Sequence, residues 1–184
     1  MELNNKKKLL KYALYAKLLK VVVVLVIMLV SNSCSISYKF NGASVDYTKT
    51  KTISIVDFPN TSELVYAPLS SEFTEKLRDV YAKNTRLQVL KKGGDLHLEG
   101  EIVGYQLTPM AISANTYASQ TKLTITINVR FTNAKSPEDD FEKKYTAYQT
   151  FDSTSLLTDV QDELLKTMID EITDQIYNDT VAKW

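Results

Sequence analysis

Apolar and polar residues alternate along five stretches of this chain, the pattern of β-strands that bury one side. The clearest stretch is 123–131, in which every second residue is apolar. A longer stretch pauses at Gly93-Gly94 and then resumes. The predicted strands cover residues 36–40, 53–58, 87–102, 123–131 and 141–151.

Two further stretches place apolar residues three or four positions apart, as amphipathic helices do. Pro68 suits the first turn of the first helix, and the second helix extends over about 156–181. Ser155 or Thr158 could cap the second helix, and Thr158 with Gln161 has the spacing of a capping box. The residues predicted to face the core are Leu69, Phe73, Leu77, Val80 and Tyr81 in the first helix, and Leu157, Val160, Leu164, Met168, Ile169, Ile172 and Ile176 in the second.

The predicted elements follow one another in the order β-β-α-β-β-β-α. Regular alternation in the strands indicates a sheet with one covered face and one face in water. Two amphipathic helices supply the cover. The sequence therefore predicts an α+β fold, a two-layer sandwich with a largely antiparallel or mixed sheet of about four to five strands under two helices.

The start of the chain has the layout of an export signal. Six lysines precede an apolar run at 21–30, and Ser31-Asn32-Ser33 leads to Cys34. As a helix the run would span about 15 Å, roughly half of a bilayer's hydrocarbon core. We therefore predict a lipoprotein signal peptide at 1–33, with Cys34 as the acylated N-terminus of a single domain at 34–184.

Two other interpretations of this segment stay open. The apolar run could be a membrane span, although Lys20 bounds it, or Cys34 could be a small buried apolar residue. Ser31 also stands where a lipobox usually has an aliphatic residue. Because Ser35 rather than an aspartate follows Cys34, the expected destination is the periplasmic face of the outer membrane. Cys34 is the only cysteine, so no intramolecular disulfide is expected.

The predicted signal peptide is basic, whereas the predicted domain at 34–184 has a negative net charge. The whole chain carries 22 basic and 22 acidic residues. Removal of residues 1–33 takes away six lysines and one glutamate, which leaves 16 basic and 21 acidic residues, a net charge of −5. A partner dominated by phosphate, such as a nucleic acid, is therefore not expected.

A row of ionisable residues is the main candidate for catalysis or metal binding. Asp95, His97, Glu99 and Glu101 share one face of a predicted strand. That face could bind a divalent metal or hold an acid–base pair, but a linear row does not converge as metal ligands must. We favour a solvated sheet face, with no metal and no cofactor. The sequence has no G-x-S-x-G, H-E-x-x-H or P-loop motif, so no enzymatic activity is expected.

The segment 108–120 differs from the rest of the chain. It is uncharged and joins two strong strands. Connections of this length between hairpin partners are uncommon and often functional. A functional contact with protein or lipid and a merely mobile connection remain equal alternatives for it.

Several segments together are similar to one protein family. The most distinctive is GGDLHLEGEIVGY at 93–105. In their order and spacing the segments resemble the LptE-type lipopolysaccharide-assembly lipoproteins, in the form found in Bacteroidetes. The resemblance covers residues 34–184. The segments that carry it, besides the lipobox, are 35–44, 58–60, 69–77, 93–105, 123–127, 141–142 and 182–184.

The resemblance implies a specific, non-enzymatic function. LptE-type proteins sit at the inner face of the outer membrane, plug the lumen of the LptD β-barrel, assist its folding, and with it insert lipopolysaccharide into the outer leaflet. The family fold is a two-layer α/β sandwich. Lipid A presents phosphates, which pair with Lys and Arg. Lys122 and Arg130 lie on the polar side of the clearest strand, with no acid between them, and are the candidate lipopolysaccharide contacts.

Other interpretations remain for these features. The chain could be a different periplasmic assembly lipoprotein, such as a secretion or cell-wall-synthase accessory. It could be a lipid-anchored hydrolase or metal binder that uses the row from Asp95 to Glu101. The face with Lys122 and Arg130 could also be an ordinary solvated surface or a contact with the barrel.

Overall fold

A computed structural model describes residues 45–110 and 119–182. The predicted strand at 36–40, the signal peptide, Cys34 and the centre of the 108–120 segment lie outside the described residues. The elements are β1 (Thr52–Ile55), α1 (Ala67–Asn84), β2 (Gln88–Leu90), β3 (Leu96–Pro109), β4 (Gln120–Asn133), a 3-10 turn (Pro137–Asp139), β5 (Phe141–Asp152) and α2 (Leu157–Thr180).

The five strands form one mixed sheet in the order β2-β1-β3-β4-β5. β1 runs parallel to both of its neighbours, whereas β4 runs antiparallel to both β3 and β5. The two helices supply the apolar residues that cover one side of the sheet. The predicted α+β sandwich is confirmed. In the described part of the chain, no helix is long and apolar enough to cross a membrane.

The first helix is the one the sequence predicts best. Pro68 lies in its first turn, and all five residues of the predicted apolar stripe are buried. At the far end of the stripe, the hydroxyl groups of Tyr81 and Thr180 are hydrogen-bonded, which joins α1 to the last turn of α2. Burial raises the pKa of Tyr81, so this hydroxyl stays protonated.

The buried face of α2 differs from the prediction near its N-terminus. Leu157, Val160 and Leu164 are only half-buried, and Leu165 and Gln161 take the inner positions. The predicted caps are also wrong. The N-cap residue is Leu156, and no side chain caps the helix. Gln161 points inward because its amide finds a buried partner, Tyr105, on the sheet.

The predicted strand 87–102 is in fact two strands on opposite sides of β1. The five residues after β2 cross the backbone of β1 to reach β3. Gly93 has φ 65°, a left-handed conformation that glycine adopts without strain. A Cβ on Gly94 would lie 3.0 Å from the Ser54 nitrogen, so the crossing requires glycine there as well.

A bulge at Val103 reverses which residues of β3 face the core. Before it, Leu98 and Ile102 are buried, whereas after it Tyr105 is buried. Ile102 pairs with Ile127, but Gly104 pairs with Thr126, so Val103 is the extra residue. The bulge lets one 14-residue strand keep its apolar side chains on the helix side throughout.

Candidate functional site

Polar side chains cover the side of the sheet that faces away from the helices, which we call the open face. Because directly paired residues share a face, the cross-strand register assigns its members. The open face contains His97, Glu99, Glu101, Gln106 and Thr108 of β3, Lys122, Thr124, Thr126, Asn128 and Arg130 of β4, and Glu142, Lys144, Thr146, Tyr148, Thr150 and Asp152 of β5. The expectation of one wet face is confirmed for these strands.

Arg130 is held between two carboxylates. Its Nη1 donates to Glu99 Oε1 at 3.0 Å, and its Nε donates to Glu142 Oε2 at 3.4 Å. Asn128 Nδ2 also donates to Glu142, at 2.9 Å. The hydrogen bond from Asn128 and then the guanidinium of Arg130 hold the pKa of Glu142 below its usual range. From β4 alone we expected the face around Arg130 to be free of acids. That expectation is wrong, because the neighbouring strands β3 and β5 bring Glu99 and Glu142 to it.

Lys122 lies far from Arg130 and in different surroundings. Lys122 and Arg130 are eight positions apart along the strand, a distance of about 27 Å. They therefore cannot contact the same phosphate. The Lys122 Nζ lies 5.5 Å from the ring centroid of Tyr148, a cation–π distance. Among the described residues, neither Lys122 nor Lys144 forms a salt bridge, so both cations remain open to an anionic ligand.

The acidic row of β3 is occupied by structural contacts. Asp95 Oδ2 accepts hydrogen bonds from the backbone N–H groups of Lys51 and Thr52, and Oδ1 pairs with Lys135 at 3.1 Å. These contacts, the Lys51 N–H first, lower the pKa of Asp95 to about 2. Glu101 accepts a hydrogen bond from Thr61. No group of three His, Cys, Asp or Glu residues in the described chain could hold a metal ion.

Ser54, His97 and Glu99 form a hydrogen-bonded chain that resembles a catalytic triad. Ser54 Oγ lies 2.6 Å from His97 Nδ1, and His97 Nε2 lies 3.1 Å from Glu99 Oε2. Ser54 is fully buried beneath the Gly94 crossing, however, so its hydroxyl cannot reach a substrate carbonyl. The chain therefore joins β1 to β3 rather than performing nucleophilic catalysis. The sequence analysis missed Ser54, whose only signal is a polar residue between Ile53 and Ile55.

Exposed apolar side chains gather where β3 ends and α1 begins. Leu64 and Leu107 line one groove together with Val103. Their exposed fractions are 51% for Leu64 and 38% for Leu107, and Met110, next in the chain, is 43% exposed. Met110 and Leu107 belong to the predicted 108–120 connection or adjoin it. The sequence analysis did not single out Leu64 or Val65, because neither lies in a periodic segment.

The second helix is strongly acidic. α2 contains seven acidic residues and one basic residue. The groove between the helices, however, is lined by five acidic residues and also by Lys76, Arg78 and Lys166. The open face likewise mixes acids with cations, and what distinguishes it is that Lys122 and Lys144 form no salt bridge among the described residues.

One solved structure of low sequence identity shares this fold, and another is similar over most of its length. Protein XCC0632 from Xanthomonas campestris is 12% identical, and the match covers 72% of this chain and 84% of that one with a TM-score of 0.53. The rare lipoprotein B of Shewanella oneidensis is 14% identical, with 70% and 92% covered and a TM-score of 0.46. No curated protein sequence matches the chain.

The profile of one protein family matches residues 50–180. The matched range begins just before β1 and ends with the last residue of α2, so it contains every described strand and helix. It also contains the open face and the whole helix layer. The chain therefore belongs to the LptE family of lipopolysaccharide-assembly proteins.

Proposed function

We propose that this chain is the lipid-anchored partner of an LptD-type β-barrel and assists the insertion of lipopolysaccharide into the outer leaflet of the outer membrane. The observation that carries the proposal is the family match over residues 50–180, which contain every described strand and helix. Members of such a family act by binding, which agrees with a buried Ser54 and a row of carboxylates already engaged in structural contacts.

The anchor in this proposal is Cys34, acylated after removal of residues 1–33 as a signal peptide. Ten residues lie between Cys34 and Val45, and the eleven steps along the chain have a reach of at most about 40 Å. Val45 borders a groove with Asn133 and Thr180, at the end of the sheet opposite Leu107.

Lipopolysaccharide contact belongs to the open face in this proposal. Lys122 supplies a cation that forms no salt bridge among the described residues and lies beside the ring of Tyr148. The ammonium group can contact a phosphate while the ring contacts an acyl chain. Arg130 remains a second proposed contact, but it must share its guanidinium with Glu99 and Glu142. We therefore assign the larger part of phosphate binding to Lys122.

A crosslinking pull-down from outer membranes tests the partnership. A tag at the C-terminus of the full chain should recover an LptD-type barrel in stoichiometric amount. Mutation of the exposed Leu107 to Asp should reduce this recovery, whereas the matched polar change Thr124→Asp on the open face should not. Recovery of a secretion or cell-wall-synthesis component instead of a barrel would overturn the proposal.

Mass spectrometry tests the anchor separately. The purified protein should lack residues 1–33 and carry added acyl mass on Cys34. Cys34→Ala should prevent both changes and leave the protein outside the outer-membrane fraction. An intact, unacylated Met1 terminus in the wild type would refute lipidation.

A further inference from the structure

Among the described residues, no strand pairs with the outer edge of β5, which offers backbone groups over most of the strand's length. β5 is the last strand of the sheet, and its pairing with β4 runs without a bulge from Phe141 to Asp152. Ser153 N donates to Ser119 O, so odd-numbered residues direct their backbone groups towards β4. Alternate residues of an antiparallel strand point to opposite neighbours. The even-numbered residues of β5 therefore point outward, and no described strand pairs with them.

The central part of this edge, residues 145–151, lacks the features that usually protect sheet edges, whereas Glu142, Lys143, Lys144 and Asp152 place charges at its two ends. Charged side chains, proline and bulges prevent edge-to-edge association. Residues 145–151 contain none of these, since their sequence is YTAYQTF. The opposite edge of the sheet, by contrast, is formed by β2, which is only three residues long and is followed by Lys91-Lys92. The β5 edge is thus suited to pairing.

The sequence of β5 is complementary to itself in one antiparallel register. We propose that β5 pairs with β5 of a second copy of this chain around a two-fold axis at Tyr148. In that register Lys144 lies opposite Asp152 of the second copy, and Thr146 lies opposite Thr150. On the other face, Tyr145 lies opposite Phe151. These are opposite-charge, Thr–Thr and aromatic pairs, which stabilise antiparallel strands.

The hydrogen-bonding geometry agrees with this register. The self-paired residue, Tyr148, is even-numbered, so its N–H and C=O point outward and can be exchanged with those of its symmetry mate. The same holds for Thr146 with Thr150, whereas the carbonyl of Asp152 already accepts a hydrogen bond from the Ser155 N–H, and its carboxylate accepts one from Thr154. Lys144 and Asp152 therefore exchange one backbone hydrogen bond rather than two, and about eight would form in all. Lys144 makes no salt bridge among the described residues, and Tyr148 is 60% exposed, so both gain a partner.

Neighbouring registers are worse. With the axis at Ala147, Glu142 would lie opposite Asp152, and like charges directly opposed are destabilising. With the axis at Gln149, Asp152 of the second copy would no longer lie opposite Lys144. The register centred on Tyr148 is therefore the one that the charges select. It joins the open faces of both copies into one surface, with a Lys122 on each side of the Tyr148 pair.

Disulfide trapping in the full chain, purified in detergent without a barrel, tests the register. Opposed hydrogen-bonded residues have Cα atoms about 5.5 Å apart, within disulfide range. Tyr148→Cys should therefore give a covalent dimer on mild oxidation. Thr146→Cys should not, because its symmetry mate would lie about 14 Å away along the strands. The double variant Thr146→Cys/Thr150→Cys should again give the dimer. The wild type, with Cys34 alone, is the control for the native cysteine.

A charge exchange tests the same pairs by another readout. Lys144→Asp should lower the trapped fraction of Tyr148→Cys several-fold, and the added change Asp152→Lys should restore it. No dimer from Tyr148→Cys, or equal trapping of Tyr148→Cys and Thr146→Cys, would overturn the proposal. In membranes, Tyr148→Cys could form a disulfide with a β-barrel strand. If it did so and never formed one with a second copy of the chain, that result would also overturn the proposal. None of these results depends on lipopolysaccharide binding, so they leave the proposed function to its own test.

Discussion

Gln161 of α2 donates a hydrogen bond from its Nε2 to the hydroxyl oxygen of Tyr105 on β3, at 2.8 Å. Both residues are buried, and the ring of Tyr66 stacks on Tyr105 at 6.4 Å between centroids. Burial raises the pKa of Tyr105, so its hydroxyl stays neutral. This contact holds the first turns of α2 against β3, together with the hydrogen bond from the Tyr66 hydroxyl to Asp162 and the burial of Leu165.

Gln161→Ala should therefore destabilise the domain by about 1–3 kcal/mol, because the buried hydroxyl of Tyr105 loses its partner. Thr158→Ala is the matched control. If Thr158 and Gln161 formed a capping box, both variants would weaken the helix, but we expect Thr158→Ala to stay within about 0.5 kcal/mol of the wild type. Urea unfolding followed by circular dichroism measures both. Equal losses would restore the capping interpretation.

The periodicity of α2 predicted the helix but not the orientation of its first two turns. Hydrophobicity alone cannot distinguish Leu164 from Leu165, which differ by one position along the helix. The decision depends on Tyr105, more than fifty residues away, and no local pattern contains that information. From Met168 onward the predicted residues, Met168, Ile169, Ile172 and Ile176, are all buried, so the predicted face is confirmed there.

Leu165→Ala should cost about 2–5 kcal/mol, as for other fully buried leucines. Leu164→Ala, which the sequence alone would select as the core position, should cost clearly less, since Leu164 is half-buried at the rim. The same denaturation experiment ranks the two variants. A larger loss for Leu164→Ala would place the rim residue in the core and contradict the packing described above.

In the sheet, too, the sequence predicted the features that depend on local pattern and missed those that depend on tertiary contacts. Strict alternation predicted β4 and β5 well, because each side of these strands has one environment. The break between β2 and β3 was missed, because a crossing over β1 is a tertiary event and Gly93-Gly94 only indicates a pause. The carboxylates around Arg130 were missed for a similar reason, since Glu99 and Glu142 reach it from other strands.

Asp95 should make stability dependent on pH in the acid range. Its pKa is about 2 in the folded protein and about 3.9 in an unfolded chain. A lowered pKa means that the stabilisation is complete above about pH 4–5 and is lost as the pH falls through the folded value. Asp95→Asn should therefore be less stable than the wild type at pH 7, and the difference should vanish near pH 2.

The control for this pH dependence is Lys135→Met. The Lys51 and Thr52 N–H groups still bind Asp95 in that variant, so most of the acid dependence should remain. Thermal midpoints measured from pH 2 to pH 7 make the comparison. A constant difference between Asp95→Asn and the wild type across this range would show that the carboxylate is not ionised preferentially in the folded state.

Lipopolysaccharide binding separates the two cations of β4. Lys122→Glu removes an unpaired cation, so we expect affinity for lipopolysaccharide to fall about tenfold, or 1.4 kcal/mol, with little change in the melting temperature. Arg130→Glu instead places a third acid between Glu99 and Glu142. We expect it to lower the melting temperature, with a loss of about 1 kcal/mol because the pairs are exposed.

Arg130→Gln distinguishes a ligand contact from a structural one, because glutamine removes the positive charge without adding another acid. If Arg130 mainly neutralises Glu99 and Glu142, this variant should bind lipopolysaccharide almost as tightly as the wild type. Titration of purified lipopolysaccharide against the three variants at two salt concentrations gives the affinities, and the effect of Lys122→Glu should shrink at high salt because phosphate pairing is screened. Wild-type affinity for Lys122→Glu would show that this end of the open face is not the glycolipid site.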